Sequence, residues 1–216
     1  MSGYSSGGLR RWRGLIAALP LVMLPFSLAA QEARISLPAS LRESTRTAVT
    51  SLADSLAREG LPGDGLYAKA AEGVLKGADD ARVLEAVRSL ASRLRDARRA
   101  LGPHASAADL EAGASALFAG VSLTALARFA PHSAPARPQT LANTLTVLAD
   151  LVWKGVPVDR ATQSIETLMA RGAYDRHLTA LRAAFDQELN AGRDPIASLN
   201  RGTTRVLRTL DRPSSP

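Results

Sequence analysis

The stretch that decides the fold is EGLPGDGLYAKAAEGVLKGADD, Glu59 to Asp80. Its five glycines, its Lys76-Gly77 pair and its two adjacent aspartates admit two readings. One is a loop that cradles phosphate or a cation; the other is the punctuation of successive helices. A phosphate loop needs G-x-x-x-x-G-K-[ST] between a strand and a helix, so that backbone amides and the lysine converge on the phosphates. Gly73-x-x-Lys76-Gly77 has a different spacing and no hydroxyl after the lysine. A calcium loop needs acids at alternate positions and a glutamate at the twelfth, which Asp64, Asp79 and Asp80 do not supply. Punctuation fits throughout. Gly60 stands where a glycine follows a helix end, and Pro62 prevents continuation. A second helix is expected over 64–76, closed by Gly77. Asp79 or Asp80 then places negative charge at the start of a third, where the helix dipole favours it. Gly73 falls inside the second helix at a cost of about 1 kcal/mol against alanine, and close packing of a neighbouring helix is the expected reason.

Reading outward, the same grammar continues. Ser40-Leu-Arg-Glu43 has the form of a capping box, and Leu41, Ala48, Leu52 and Leu56 follow it at helical spacing. Val83, Val87, Leu90, Leu94, Ala97 and Leu101 alternate steps of four and three, which makes one apolar stripe; Gly102-Pro103 stops it. Leu110, Ala114, Leu117 and Val121 predict a further helix, and Leu123, Leu126 and Phe129 a short successor. Residues 130–138, with three prolines, read as a loop. Leu141, Leu145, Leu148 and Val152 open the next helix, Pro157 the one after, and Leu178, Leu181, Phe185 and Leu189 mark another. Asp194-Pro195 starts the last, which carries Leu199, Val206 and Leu210.

Two segments echo each other. Gly60-Leu-Pro62 returns as Gly155-Val-Pro157, and Lys76-Gly-Ala78 as Arg171-Gly-Ala173, at one offset of 95 residues. LFAGVSLTAL, Leu117 to Leu126, reads as a degraded middle copy. A lone hairpin cannot bury its apolar face, so copies stack. The expected fold is all-α: a helical-hairpin repeat, or a compact antiparallel bundle with internal duplication, forming one domain over 30–216. With Glu72-Gly-Val-Leu-Lys-Gly-Ala78, the Gly-x-Pro motifs resemble those of exported all-helical bacterial proteins without an assigned function. The resemblance therefore implies a fold class and export but no activity. Thr167 and Leu168 replace Glu72 and Gly73 in the second copy.

The N-terminus reads as an export signal. Arg10, Arg11 and Arg13 precede an apolar run from Leu15 to Ala30, with small Ser27 and Ala29 before a polar start. That is the layout of a cleaved secretory peptide. Cleavage is expected after Ala29, with Ala30 as the alternative. The run is shorter than the ~20 residues of a spanning helix. Cleavage removes three of the 27 basic residues and none of the 20 acidic ones, so the net charge falls from +7 to +4. Periplasmic or extracellular placement, that modest charge and the 4% aromatic content argue against nucleic-acid binding.

The chain has no cysteine, which excludes disulfides, thiolate metal sites and a thiol nucleophile. Its three histidines, His104, His132 and His177, share no helix face, and no G-x-S-x-G elbow occurs. No catalytic, cofactor-binding or metal-ligating residue is nominated, and no cofactor is expected. Trp153 and Tyr174 are expected in the core or at its rim. Arg201, Arg205, Arg208 and Arg212 recur at steps of four, three and four, giving the last helix a basic face suited to an anionic membrane surface. The leading expectation is a non-enzymatic binding or scaffolding protein with an unknown protein or peptide partner in the envelope. A peripheral membrane role and an enzyme with a site assembled from distant residues are the alternatives.

Overall fold

The computed structural model describes residues 37–130 and 140–211. The proposed signal segment, His132, most of the proline-rich loop, and Arg212 lie outside them. The protein is all-α: among the described residues there are nine helices and no strand. They are α1 (Glu43–Arg58), α2 (Asp64–Leu75), α3 (Asp80–Leu101), α4 (Ala107–Phe118), α5 (Leu123–Ala127), α6 (Leu141–Trp153), α7 (Val158–Ala170), α8 (Asp175–Asn190) and α9 (Pro195–Leu210). None is long and apolar enough to cross a membrane.

Six of the connections are built alike. Gly60, Gly77, Gly120, Gly155, Gly172 and Gly192 all have φ between 69° and 103°, a conformation that costs glycine nothing and other residues a Cβ clash. Each glycine N–H donates to the carbonyl three residues back, and the next N–H donates to the carbonyl five residues before it. Leu61 N–H to Leu56 O at 2.9 Å and Val156 N–H to Leu151 O at 3.0 Å are two examples. This double closure satisfies helix-end carbonyls that would otherwise lack partners. The chain then re-enters a helix almost at once, capped by Asp79, Ser122 or Asp194 where those side chains are available.

The first helix departs from expectation. Ser40 does not cap it; α1 begins at Glu43, after a turn closed by Leu41 N–H to Pro38 O. The Arg42 N–H instead donates to Asp80 Oδ2 at 3.0 Å, at the start of α3. With the start shifted, Thr45, Val49, Ala53 and Leu56 face inward, and Ala48 is only half-buried. A matching bond joins Thr140 N–H to Asp175 Oδ1, also at 3.0 Å, where α6 meets α8. Asp80 and Asp175 thus each tie the start of their own helix to the start of another.

One contiguous apolar cluster runs from Leu41 to Val206 and includes the fully buried Phe129, Phe185, Leu94, Leu145 and Ile165. The stripe of α3 lies within it, with α1, α2, α4 and α5 packed around that helix. Helix α4 also packs along α6, and α8 against α6 and α9. Three helix-interior glycines set the closest approaches. A Cβ on Gly73 would lie 2.9 Å from Val83 Cγ2; on Gly113, 3.1 Å from Ala97 Cβ; on Gly202, 3.3 Å from Leu181 Cδ1. The two segments that echo each other part company here. Leu168 occupies the position matching Gly73 and is buried. Helix α7 packs chiefly on α9 and α6, and the near neighbour of α8 is α9.

Candidate functional site

The glycine turn dictates what each helix end exposes. At four of the six turns the residue four before the glycine and the residue after it are both buried: Leu56 with Leu61, Ala116 with Val121, Leu151 with Val156, and Leu168 with Ala173; at Gly77 the pair is half-buried, and at Gly192 Glu188 is buried but Arg193 is exposed. The last helical residue stands two positions beyond the first of these, about 200° further around the helix, and so points outward. All six such residues are exposed: Arg58, Leu75, Phe118, Trp153, Ala170 and Asn190. At three turns the position is charged, polar or small. At the others it holds Leu75, Phe118 and Trp153, which are 87%, 60% and 67% exposed. Since the same turn forms without them, folding does not require large apolar side chains there.

Packing of α4 along α6 brings two of these residues together. The Phe118 and Trp153 rings stack with centroids 5.7 Å apart and planes 19° from parallel. Such a pair gains about 0.5–1.5 kcal/mol, less than the roughly 1.5–3 kcal/mol from fully burying one ring. Apolar surface therefore remains uncovered. Trp153, expected in the core or at its rim, is a surface residue. Phe118 lies off the core periodicity of Leu110, Ala114, Leu117 and Val121, so apolar spacing alone does not single it out.

Polar groups frame the rings. The Arg93 guanidinium lies 4.9 Å from the centre of the Phe118 ring. Its Nη1 donates to Ser89 Oγ at 2.6 Å, and its enclosed Nε has no hydrogen-bond partner among the described residues. Burial pulls Arg93 below the usual arginine pKa, and no acid offsets the effect. Phe118 and Ser115 separate two depressions. One is lined by Lys69, Leu90, Arg93 and Ala114; the other by Thr146, Ala149, Asp150, Trp153 and Arg182. The other cations are paired: Lys69 with Glu72 at 2.9 Å, and Arg182 with Asp150 at 2.9 Å. Hydrogen bonds from Lys76 and Lys69 bring the Glu72 carboxyl to a pKa of about 2. Lys154 bridges Asp150 and Asp186 at 2.7 and 2.6 Å. Burial works to lower its pKa, but those two carboxylates outweigh it and the net shift is upward.

The arginines nominated on α9 sit differently. Arg201 and Arg205 both face Glu188 of α8, a carboxylate only 7% exposed, at 3.9 and 3.1 Å. Arg193 adds a third cation at 2.9 Å. Arg208 is exposed and makes no ion pair among the described residues. Of the histidines, His177 has a definite local role: its Nδ1 accepts the Tyr174 N–H at 2.8 Å across the first turn of α8. No metal-binding group of three or more His, Cys, Asp or Glu residues occurs among the described residues. No family model matches the chain, and no curated protein or solved structure matches it.

Proposed function

We propose that this is an exported, non-enzymatic helical binding protein. On this reading it is built from repeated helical hairpins with internal duplication, and a partner docks on the Phe118–Trp153 face. The observation that carries the reading is the contrast among chemically equivalent positions. Six helices end in the same turn, and two ends placed side by side carry exposed aromatic rings that the turn does not need. Aromatic residues and arginine are the types that dominate the energetic centres of protein interfaces, and Arg93 stands beside the rings.

Site-specific photocrosslinking tests the reading. A benzophenone amino acid at Trp153 or Phe118 should give a discrete adduct in the envelope fraction, and the same group at Arg58 or Asn190 should not. Adducts from all four positions, or from none, would remove the docking role. An adduct from Arg208 alone would favour the basic face of α9.

A further inference from the structure

We infer that the occupant of this face is an amphipathic segment of a partner protein that sets a carboxylate against Arg93 and an apolar anchor against Trp153. The inference rests on the docking reading above and adds the partner's chemistry.

The charge pattern carries the first half. Among the cations lining the two depressions, Lys69 and Arg182 already hold carboxylates, whereas among the described residues Arg93 holds only the Ser89 hydroxyl. A guanidinium offers five donors in a planar fork that matches a carboxylate. Arg93 is partly shielded from water by its neighbours, so a carboxylate reaching it meets weaker screening than at an open surface. A neutral partner would leave this charge desolvated and unpaired, which is costly. A phosphate-rich surface would call for several uncompensated cations, and these depressions present one.

The distances carry the second half. The Phe118 centroid lies 4.9 Å from the Arg93 guanidinium and 5.7 Å from the Trp153 centroid, so cation and indole are at most roughly 11 Å apart. A helix rises about 1.5 Å per residue. An acid and an apolar anchor four or seven positions apart on one helical face therefore span the site, the spacing by which amphipathic helices seat in grooves.

Panning a phage library of random dodecapeptides on the full chain is the test. Peptides that bind wild type but not Trp153→Ala should carry Asp or Glu four or seven positions from Trp, Phe, Leu or Met. A synthetic representative should lose affinity by about tenfold or more against Arg93→Gln. Changing the peptide's own acid to its amide should cost as much against unaltered protein, a comparison that does not depend on the folding of any variant. Peptides that need Trp153 but show no acidic position, or ignore Arg93→Gln, would overturn this inference and leave the docking reading standing. A library yielding no Trp153-dependent peptide would overturn both.

Discussion

Gly73 and Val83 meet so closely that a single methyl group on the glycine would lie 2.9 Å from Val83 Cγ2. The glycine that weakens α2 as an isolated helix is thus what lets α2 lie against α3. Two effects oppose each other in Gly73→Ala: about 1 kcal/mol of helix propensity gained and about 1–3 kcal/mol of overpacking. Overpacking wins, and the urea midpoint should fall at an unchanged m-value. Gly65→Ala is the control. Its added methyl would meet only Leu90 Cδ2, at 3.9 Å, and it should raise stability by up to about 1 kcal/mol. If Gly73→Ala were the more stable variant, the close-packing explanation would fail.

The exposed rings should matter little to folding. Trp153→Arg installs the residue found at the equivalent end of α1. Its cost should stay below about 1.5 kcal/mol, the upper range for a stacked aromatic pair. Phe118→Ala should behave similarly. In contrast, Phe185→Ala, which empties a fully buried site, should cost about 3–5 kcal/mol. Chemical denaturation of the three variants gives the comparison, and a Trp153→Arg loss as large as that of Phe185→Ala would make the indole a structural residue.

Glu188 holds α9 through Arg201 and Arg205, and the turn before it through Arg193. Glu188→Ala removes the shared counter-charge, and stability should drop by about 1–3 kcal/mol. Hydrogen exchange should speed up across residues 195–210 more than across α1. A basic-face role for Arg201, Arg205, Arg208 and Arg212 carries its own expectation: Glu188→Gln should strengthen sedimentation with phosphatidylglycerol vesicles. Unchanged sedimentation would count against that role.

His177 makes the start of α8 sensitive to pH. Burial and then the charge of Arg176 lower its pKa in the folded protein. Protonation would also remove the Nδ1 acceptor from the Tyr174 N–H. With the folded pKa below the unfolded value near 6.5, the unfolded state binds more protons as the medium acidifies. The stabilising contribution is therefore complete above about pH 6.5 and is lost as the pH falls through the folded pKa. His177→Gln keeps an acceptor at this position and does not titrate. The difference in urea midpoint between pH 8 and pH 5 should be smaller for the variant than for wild type; an equal difference would clear His177 of the effect.

The helix ends were legible because their chemistry is local. A glycine at positive φ, a cap and an apolar pair across the turn all lie within seven residues, so Gly60, Gly77, Gly155 and Gly172 could be read directly. Partner choice is tertiary. Nothing near Leu168 announces that α7 packs on α9, because that neighbour is supplied from about 30 residues further along the chain. The start of α1 is hidden for a similar reason: Ser40 offers a good local cap, but Asp80, 38 residues beyond Arg42, makes the competing bond. The aromatic site was legible in principle. Aligning the residue two before each turn glycine sets Phe118 and Trp153 beside Arg58, Ala170 and Asn190, and the anomaly then stands out. Arg93 gives no such sign, since its lack of an acid partner among the described residues is a property of neighbours contributed by other helices.

The residues that cap the C-termini of α1 and α6 have a consequence for how the chain assembles. Glu59 pairs with Arg95 of α3 at 2.6 Å, and Lys154 pairs with Asp186 of α8 at 2.6 Å. The polarity of the pair is reversed between the two places. These helices end in the same turn, so the local chemistry of the turn does not distinguish their places. Setting α1 against α8 would bring Glu59 towards Asp186, and setting α6 against α3 would bring Lys154 towards Arg95. Both exchanges oppose like charges. The two pairs thus weigh against exchanging the two helices, and only modestly, since half-exposed ion pairs contribute about 0–1 kcal/mol each.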